Sequence, residues 1–242
     1  MKKILITYAD NSMSLAKELC CKSALSMGFD YAEGMCDINI DAQFTKFNQE
    51  ILTQKRGAGY WLWKPYILLK TMLQWSDDTV IVYSDAGVEW LNNPNYIIDR
   101  MTDDVWIFGN QYQHSHWCKR DVFIKMHCDY PHIHESKQAQ ASVIFFKNTP
   151  FARHFVKEWL CWCMMPGMID DSPSVAPPLP EFAENRHDQA ILTNMALMYG
   201  MKLHYWPASY NNGQFLYPCK EFYPNDNYPV IFNHHRKRND EI

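Results

Sequence analysis

The sequence predicts an α/β protein built on a mostly parallel, twisted sheet flanked by helices. Short β-prone runs alternate along the chain with segments of helical apolar spacing, the pattern of a sheet covered on both faces. One run, Thr79-Val80-Ile81-Val82-Tyr83, is almost continuously apolar, as a strand buried on both faces must be. The length of 242 residues is enough for one such domain with a sizeable core, so residues 1–242 are read as a single domain.

The elements follow in order. Lys3 to Ala9 forms a first apolar strand ending at Asp10-Asn11-Ser12, and Ser12 or Ser14 caps a helix through Leu15, Leu19 and Leu25 that Gly28 closes. A second helix is expected from Asp41 to about Gln54, with Phe44, Phe47 and Ile51 at helical spacing. A third opens at Trp63-Lys64-Pro65, where proline suits a first helical turn, and runs to Trp75. The strand from Thr79 then breaks at Ser84-Asp85-Ala86-Gly87, which sets Asp85 at a strand's carboxyl end. Val105 to Phe108 and Ala141 to Phe146 read as further strands, with Phe151, Phe155, Trp159 and Leu160 on one face of the helix that follows. Five prolines between Met165 and Glu184 forbid regular structure there and predict an exposed loop beside an active-site mouth or acceptor surface. A helix resumes through Asp188, Ile191, Leu192 and Met195, and Leu203 to Trp206 and Val230 to Phe232 supply late strands.

Charge and composition exclude some partners. A formal net charge of -4 and a pI near 6.2 provide no global field for nucleic acid, so none is expected as a partner. No apolar run approaches the roughly 18 to 20 residues of a membrane span, so no transmembrane segment is expected. The apolar run after Met1-Lys2-Lys3 is too short for a secretory signal, which points to a cytoplasmic protein. Eight cysteines without a C-x-x-C pair read as reduced thiols.

In open α/β sheets ligands lie beyond the carboxyl ends of the strands, and the chemically interesting residues fall there. Asp85, followed by a small residue and a glycine, suits a hard cation on a diphosphate, or it caps the next segment. His234 and His235 precede Arg236-Lys237-Arg238, which is either a metal ligand set with cationic neighbours for a diphosphate leaving group or a solvated basic tail. Arg56-Gly57-Ala58-Gly59-Tyr60-Trp61-Leu62-Trp63-Lys64-Pro65 either builds a nucleotide pocket, with Lys64 and a helix N-terminus facing phosphate, or packs its tryptophans in the core. The stretch from His114 to His134 holds five histidines and two cysteines at spacings that match no familiar zinc module, and it reads as a mobile polar lining of the acceptor cleft.

Three blocks, residues 56–68, 80–90 and 185–192, resemble the corresponding blocks of small GT-A glycosyltransferases of bacterial surface-polysaccharide and virus-encoded glycan synthesis, and they occur in the same order. The resemblance implies a GT-A (Rossmann-like nucleotide-diphospho-sugar transferase) fold. It implies transfer of a sugar from a nucleoside-diphosphate donor to a hydroxyl of a saccharide or glycoconjugate, assisted by Mn2+ or Mg2+. The family's strand-end motif is usually D-x-D. Here Asp85-Ala86-Gly87 keeps the first carboxylate and has glycine at the second, so Asp85, His234 and His235 are the implied metal ligands, completed by water, Glu89 or phosphate. By the same resemblance Thr7, Tyr8, Ala9, Asp10, Arg56, Lys64, Ser84 and Ala86 contact the donor nucleotide. Gln140, Ala141, Ser142 and His187 contact sugar or acceptor, and Asp188, in a block resembling the family's D-Q motif, is the implied catalytic residue. Two other functions compete. A nucleotidyltransferase shares strand-end carboxylates, but residues 7–14 contain none of the glycines of its phosphate loop. A non-catalytic nucleotide-sugar or glycan-binding module would explain the incomplete acidic motif.

Overall fold

A computed structural model describes residues 1–210, 214–217 and 219–242. The chain opens with strand β1 (Lys2–Tyr8), helix α1 (Ser14–Ser26) and strand β2 (Tyr31–Met35). Three short pieces, α2 (Ala42–Phe47), α3 (Gln49–Leu52) and the distorted turn α4 (Gly57–Tyr60), lead into helix α5 (Trp63–Gln74). Then come β3 (Thr79–Ser84), β4 (Val88–Trp90), α6 (Asn95–Ile98), β5 (Val105–Gln113), α7 (Arg120–Lys125), α8 (Pro131–His134) and the long β6 (Lys137–Lys147). The remainder is α9 (Pro150–Met164), α10 (His187–Met198), β7 (Leu203–Tyr205), β8 (Ala208–Tyr210), β9 (Phe215–Leu216) and β10 (Phe232–His234).

The main sheet has the order β2-β1-β3-β6-β5-β7. Its neighbours run parallel except where β6 lies antiparallel to both β3 and β5. Strand alternation divides the core between the two faces. Ile4, Ile6, Ile81, Tyr83, Ile144 and Phe146 share one cluster with residues of α5, α9 and α10. Leu5, Val80, Val82, Trp106, Val143 and Phe145 share the other with residues of α1 and of a small second sheet, ordered β4-β10-β8-β9. Among the described residues no helix is long and apolar enough to cross a membrane.

Several elements depart from the sequence expectation for physical reasons. Helix α1 buries Ala16, Cys20 and Ala24 and leaves Leu15 and Leu25 exposed, because a stripe of small side chains lets the helix approach the sheet. The helix expected from Asp41 to Gln54 breaks into α2 and α3 at Asn48, whose side-chain amide donates to the carbonyl of Phe44 at 3.0 Å, and Phe47 is left exposed. The segment from His114 to His134 is packed core rather than a polar cleft lining: Cys118, Val122, Phe123, Met126, Cys128 and Ile133 are buried in it. Its His114 ring pairs with Asn194 Oδ1 at 2.8 Å. Residues 165–184 do lack helix and strand, as their prolines require.

At the end of the sheet opposite the carboxyl termini of β1 and β3, Asn148 ties the sheet to α5 and α9. It is fully buried, and its Nδ2 lies 3.0, 2.8 and 3.1 Å from the carbonyl oxygens of Met72, Trp75 and Ser76 at the end of α5. Its Oδ1 accepts from Arg153 Nη1 at 3.1 Å. Asn148→Ala would remove these bonds and leave the buried Met72 carbonyl without its donor, so we expect it to lower the unfolding free energy by about 1–3 kcal/mol in a denaturant titration. A loss below about 0.5 kcal/mol, the scale of a neutral surface change, would show that the carbonyls find other donors.

Candidate functional site

The carboxyl ends of β1 and β3, the middle of β6, the start of α10 and the C-terminal segment converge on a cleft of about 510 Å³. Twelve of the sixteen residues singled out from the sequence line it: Tyr8, Ala9, Asp10, Arg56, Lys64, Asp85, Ala86, Ala141, Ser142, His187, Asp188 and His234. Four do not. Thr7 and Ser84 are fully buried under their strands, with Ser84 Oγ 3.5 Å from Cys20 Sγ of α1. Gln140 is buried in β6 outside the cleft lining, and His235 lies outside it too, its Nδ1 accepting from the backbone N–H of Lys237 at 3.0 Å.

Lys64 is the hub of the cleft floor. Its side chain is 3% exposed, and Nζ lies 2.8 Å from Asp188 Oδ2 and 3.6 Å from Asp85 Oδ1. It also donates to the carbonyl of Ala141 at 3.1 Å. Tyr83 donates its hydroxyl to Asp85 Oδ1 at 2.6 Å, and Asp85 N–H bonds the carbonyl of Ser142 at 2.7 Å. Burial pushes the Asp188 carboxyl up to about 6 against the pull of Lys64. Burial also works against the Lys64 ammonium, but the charges of Asp188 and Asp85 outweigh it and hold its pKa above the usual lysine value. Lys64 therefore points to carboxylates, where the sequence had suggested phosphate.

The wall beside Lys64 is held in unusual backbone. Gly57, Ala58, Gly59, Tyr60 and Trp61 all have positive φ, between 50° and 100°. A Cβ on Gly59 would lie 2.7 Å from Leu52 Cα, so only glycine fits there. The twist turns Trp61 and Trp63 toward the cleft, where Trp63 stacks on Tyr8 with ring centroids 4.0 Å apart and donates Nε1–H to the carbonyl of Gly57 at 2.9 Å. His187 also has positive φ, stacks on Tyr60 and meets Asp171 Oδ1 at 2.9 Å. Burial pushes its imidazole down to about 4, so it is neutral at pH 7.

Charge in the cleft opposes that of the whole chain. Lys55, Arg56, Lys64, Arg186, Arg236 and Arg238 line it against Asp10, Asp85 and Asp188. Arg56 is held by Asp171 and Glu184 of the proline-rich loop, and Arg186 by Glu184. The side chains of Lys55, Arg236 and Arg238 form no ion pair within 4.0 Å among the described residues. Lys55 and Arg186 escaped the sequence reading, although each stands beside a residue that was named.

The donor set for a manganese or magnesium ion is thin. Among the described residues no three His, Cys, Asp or Glu side chains stand together where they could hold a metal ion. Of the implied ligands Asp85 and His234 line the cleft, while His235 and Glu89 do not. His234 is buried, and burial pushes its imidazole down to about 3. Its Nδ1 lies 3.0 Å from Tyr217 Oη, and Arg236 Nε donates toward its Nε2 at 3.4 Å. A Cβ on Gly87, where a second carboxylate would attach, would lie 2.8 Å from Arg236 Cα. These groups do not fit a divalent-ion site.

Solved structures share the fold. No protein-family model matches the sequence, and no curated protein does. Among solved structures, the galactosyltransferase LgtC in complex with donor and acceptor sugar analogues is similar over 97% of this chain and 87% of its own, at 14% identity and a TM-score of 0.52. The bifunctional glycosyltransferase WbbM in its apo form is similar over 98% of this chain and 46% of its own, at 11% identity and a TM-score of 0.53. The chain has the fold of the GT-A glycosyltransferases.

The hub makes a prediction about stability. Lys64→Met leaves Asp188 buried without its counter-charge, which costs about 3–5 kcal/mol while the carboxylate stays ionised. Losing Lys64 raises the folded Asp188 pKa further above the unfolded value, so the penalty grows as pH rises through it. We expect the deficit in thermal and denaturant unfolding to be largest at about pH 8 and to shrink toward about pH 5, where Asp188 takes up a proton. A deficit independent of pH would mean that Lys64 contributes only packing.

Proposed function

We propose that this protein is a glycosyltransferase that moves a sugar from a nucleoside-diphosphate donor to a hydroxyl of a saccharide or glycoconjugate. The observation that carries this reading is a cleft at the carboxyl edge of a GT-A sheet with a surplus of three cations in an acidic protein, and one buried carboxylate facing it. The neighbour LgtC, whose structure holds donor and acceptor sugar analogues, supports the same class of ligands.

In this reading Tyr8, Ala9 and Asp10 at the end of β1 receive the nucleoside, with the stacked Tyr8 and Trp63 rings as a flat apolar wall. The unpaired cations Lys55, Arg236 and Arg238 take the diphosphate. The donor sugar then lies toward Ser142, Asp188 and Gln189. Transfer forms a bond from the acceptor oxygen to the anomeric carbon and breaks the bond from that carbon to the diphosphate, which leaves with the electron pair. Fixed cations stabilise the charge that grows on the leaving group. Asp188 receives the acceptor's hydroxyl proton, a role its raised pKa suits at neutral pH. The Mn2+ or Mg2+ ion implied by the sequence resemblance is no part of this reading.

Transfer assays over a panel of nucleotide sugars test the class, and release of nucleoside diphosphate without transfer to any saccharide would count against it. Asp188→Asn should lower turnover by about a hundredfold or more while nucleotide binding persists. In the parent protein turnover should be present above about pH 6 and lost as Asp188 is protonated below it, and the variant should lack this acid limb. Near-parent turnover with an unchanged pH profile would remove Asp188 from the chemistry.

A further inference from the structure

We infer that the diphosphate is held here by fixed guanidinium and ammonium groups, with the Arg236 guanidinium facing the His234 ring nitrogen that a divalent cation would need. The inference rests on the transferase reading above and deepens it.

Four observations meet at one point. The backbone of Arg236 is clamped against the strand-end turn: its N–H donates to the carbonyl of Gly87 at 3.1 Å, and its Cα occupies the space a Gly87 side chain would need. A second strand-end carboxylate at this position is therefore sterically incompatible with the docked C-terminal segment. Arg236 itself has a φ of 57°, a conformation costly for a residue with a Cβ and retained where the surroundings over-determine it. That conformation aims the guanidinium back at His234, where Nε donates toward Nε2, the nitrogen left after Nδ1 engages Tyr217. The imidazole lone pair that would ligate a metal is thus directed at a fixed cation.

The remaining donors do not offer a detour. Glu89 lies on β4 opposite Asn233 and outside the cleft, and Asp85 Oδ1 already accepts from Tyr83 and faces Lys64. Arg236 keeps Nη1 and Nη2 without a carboxylate or hydrogen-bond partner among the described residues, and Arg238 and Lys55 flank the same cleft. A planar fork of N–H donors matches phosphate oxygens in shape and charge, and it needs no dehydration of a hydrated ion to bind them. The surplus of cations in the lining is what a diphosphate needs when no metal neutralises it.

Titration calorimetry of UDP, GDP, CDP and ADP into the wild-type protein, once in EDTA and once in manganese, tests this. We expect at least one nucleotide to bind with affinities within about twofold in the two buffers. Arg236→Ala should weaken that binding by about tenfold or more in EDTA, the scale of one charge-assisted phosphate contact, while Arg236→Lys should recover part of the loss. Manganese strengthening wild-type binding by about tenfold or more would overturn the inference and leave the transferase reading standing. Unchanged binding by a folded Arg236→Ala protein would also overturn it. If no nucleotide binds in either buffer, the transferase reading fails and the inference with it.

Discussion

An ammonium group shut inside the protein between two carboxylates sets the geometry of everything around it. Removing Lys64 from water costs several kcal/mol, and only close, well-placed negative groups offset that cost. Asp188, Asp85 and the carbonyl of Ala141 supply them, and they come from α10, the turn after β3, and β6. The first turn of α5 therefore cannot shift without breaking contact with three other elements. The order of elements matters as well. Because β6 runs antiparallel between β3 and β5, its residues 141 and 142 come level with the end of β3, where Asp85 leaves the sheet. Burial raises the Asp188 carboxyl to about 6 within this hub, against the pull of Lys64.

Backbone strain is concentrated at this cleft. Six residues other than glycine have positive φ among the described residues, and Ala58, Trp61, His187 and Arg236 of these line it, while Tyr60 stacks on His187. Such conformations cost about 1–3 kcal/mol each and persist only where neighbouring contacts force them. Here the forcing contacts are visible: Gly59 against the backbone of α3, Trp63 Nε1–H on Gly57, and Arg236 against Gly87. The strain aims aromatic rings and charged groups into the cleft from segments too short to place them by regular geometry.

What the sequence disclosed, and what it hid, follow from the same physics. The central strand was legible because burial on both faces leaves an uninterrupted apolar run, and Asp85 was legible because that run stops at it. The docking face of α1 was misread because Ala16, Cys20 and Ala24 carry less hydrophobic signal than Leu15 and Leu25, although close packing favours the smaller set. The second sheet was largely missed, with only the strand expected at Val230 to Phe232 overlapping it, at Phe232 of β10, because its strands are two or three residues long, too short for any period to show. Burial of Lys64 was hidden for a different reason. A lysine before a helical proline looks like a phosphate contact, and its real partners, Asp85 and Asp188, lie 21 and 124 residues away along the chain.

The C-terminal segment was expected to be either a metal-ligand source or solvated charge, and its contacts explain why neither description suffices. Asn239 accepts from the N–H of Leu15 at 2.9 Å and donates to the carbonyl of Asn11 at 2.8 Å and to Ser14 Oγ at 3.0 Å. It thereby ties the segment to the loop that follows β1, where Asp10 caps its own turn through Ser12. Between this stitch and the pairing of β10 with β4, Arg236 and Arg238 are held at both sides and cannot sweep freely through solvent. Holding two cationic residues at one cleft wall is unfavourable, so the strand pairing and the Asn239 stitch must carry the cost. The result is a cationic wall assembled before any anion arrives, in a chain whose net charge is negative. A wall of that kind attracts an anion at short range without attracting anions to the whole surface.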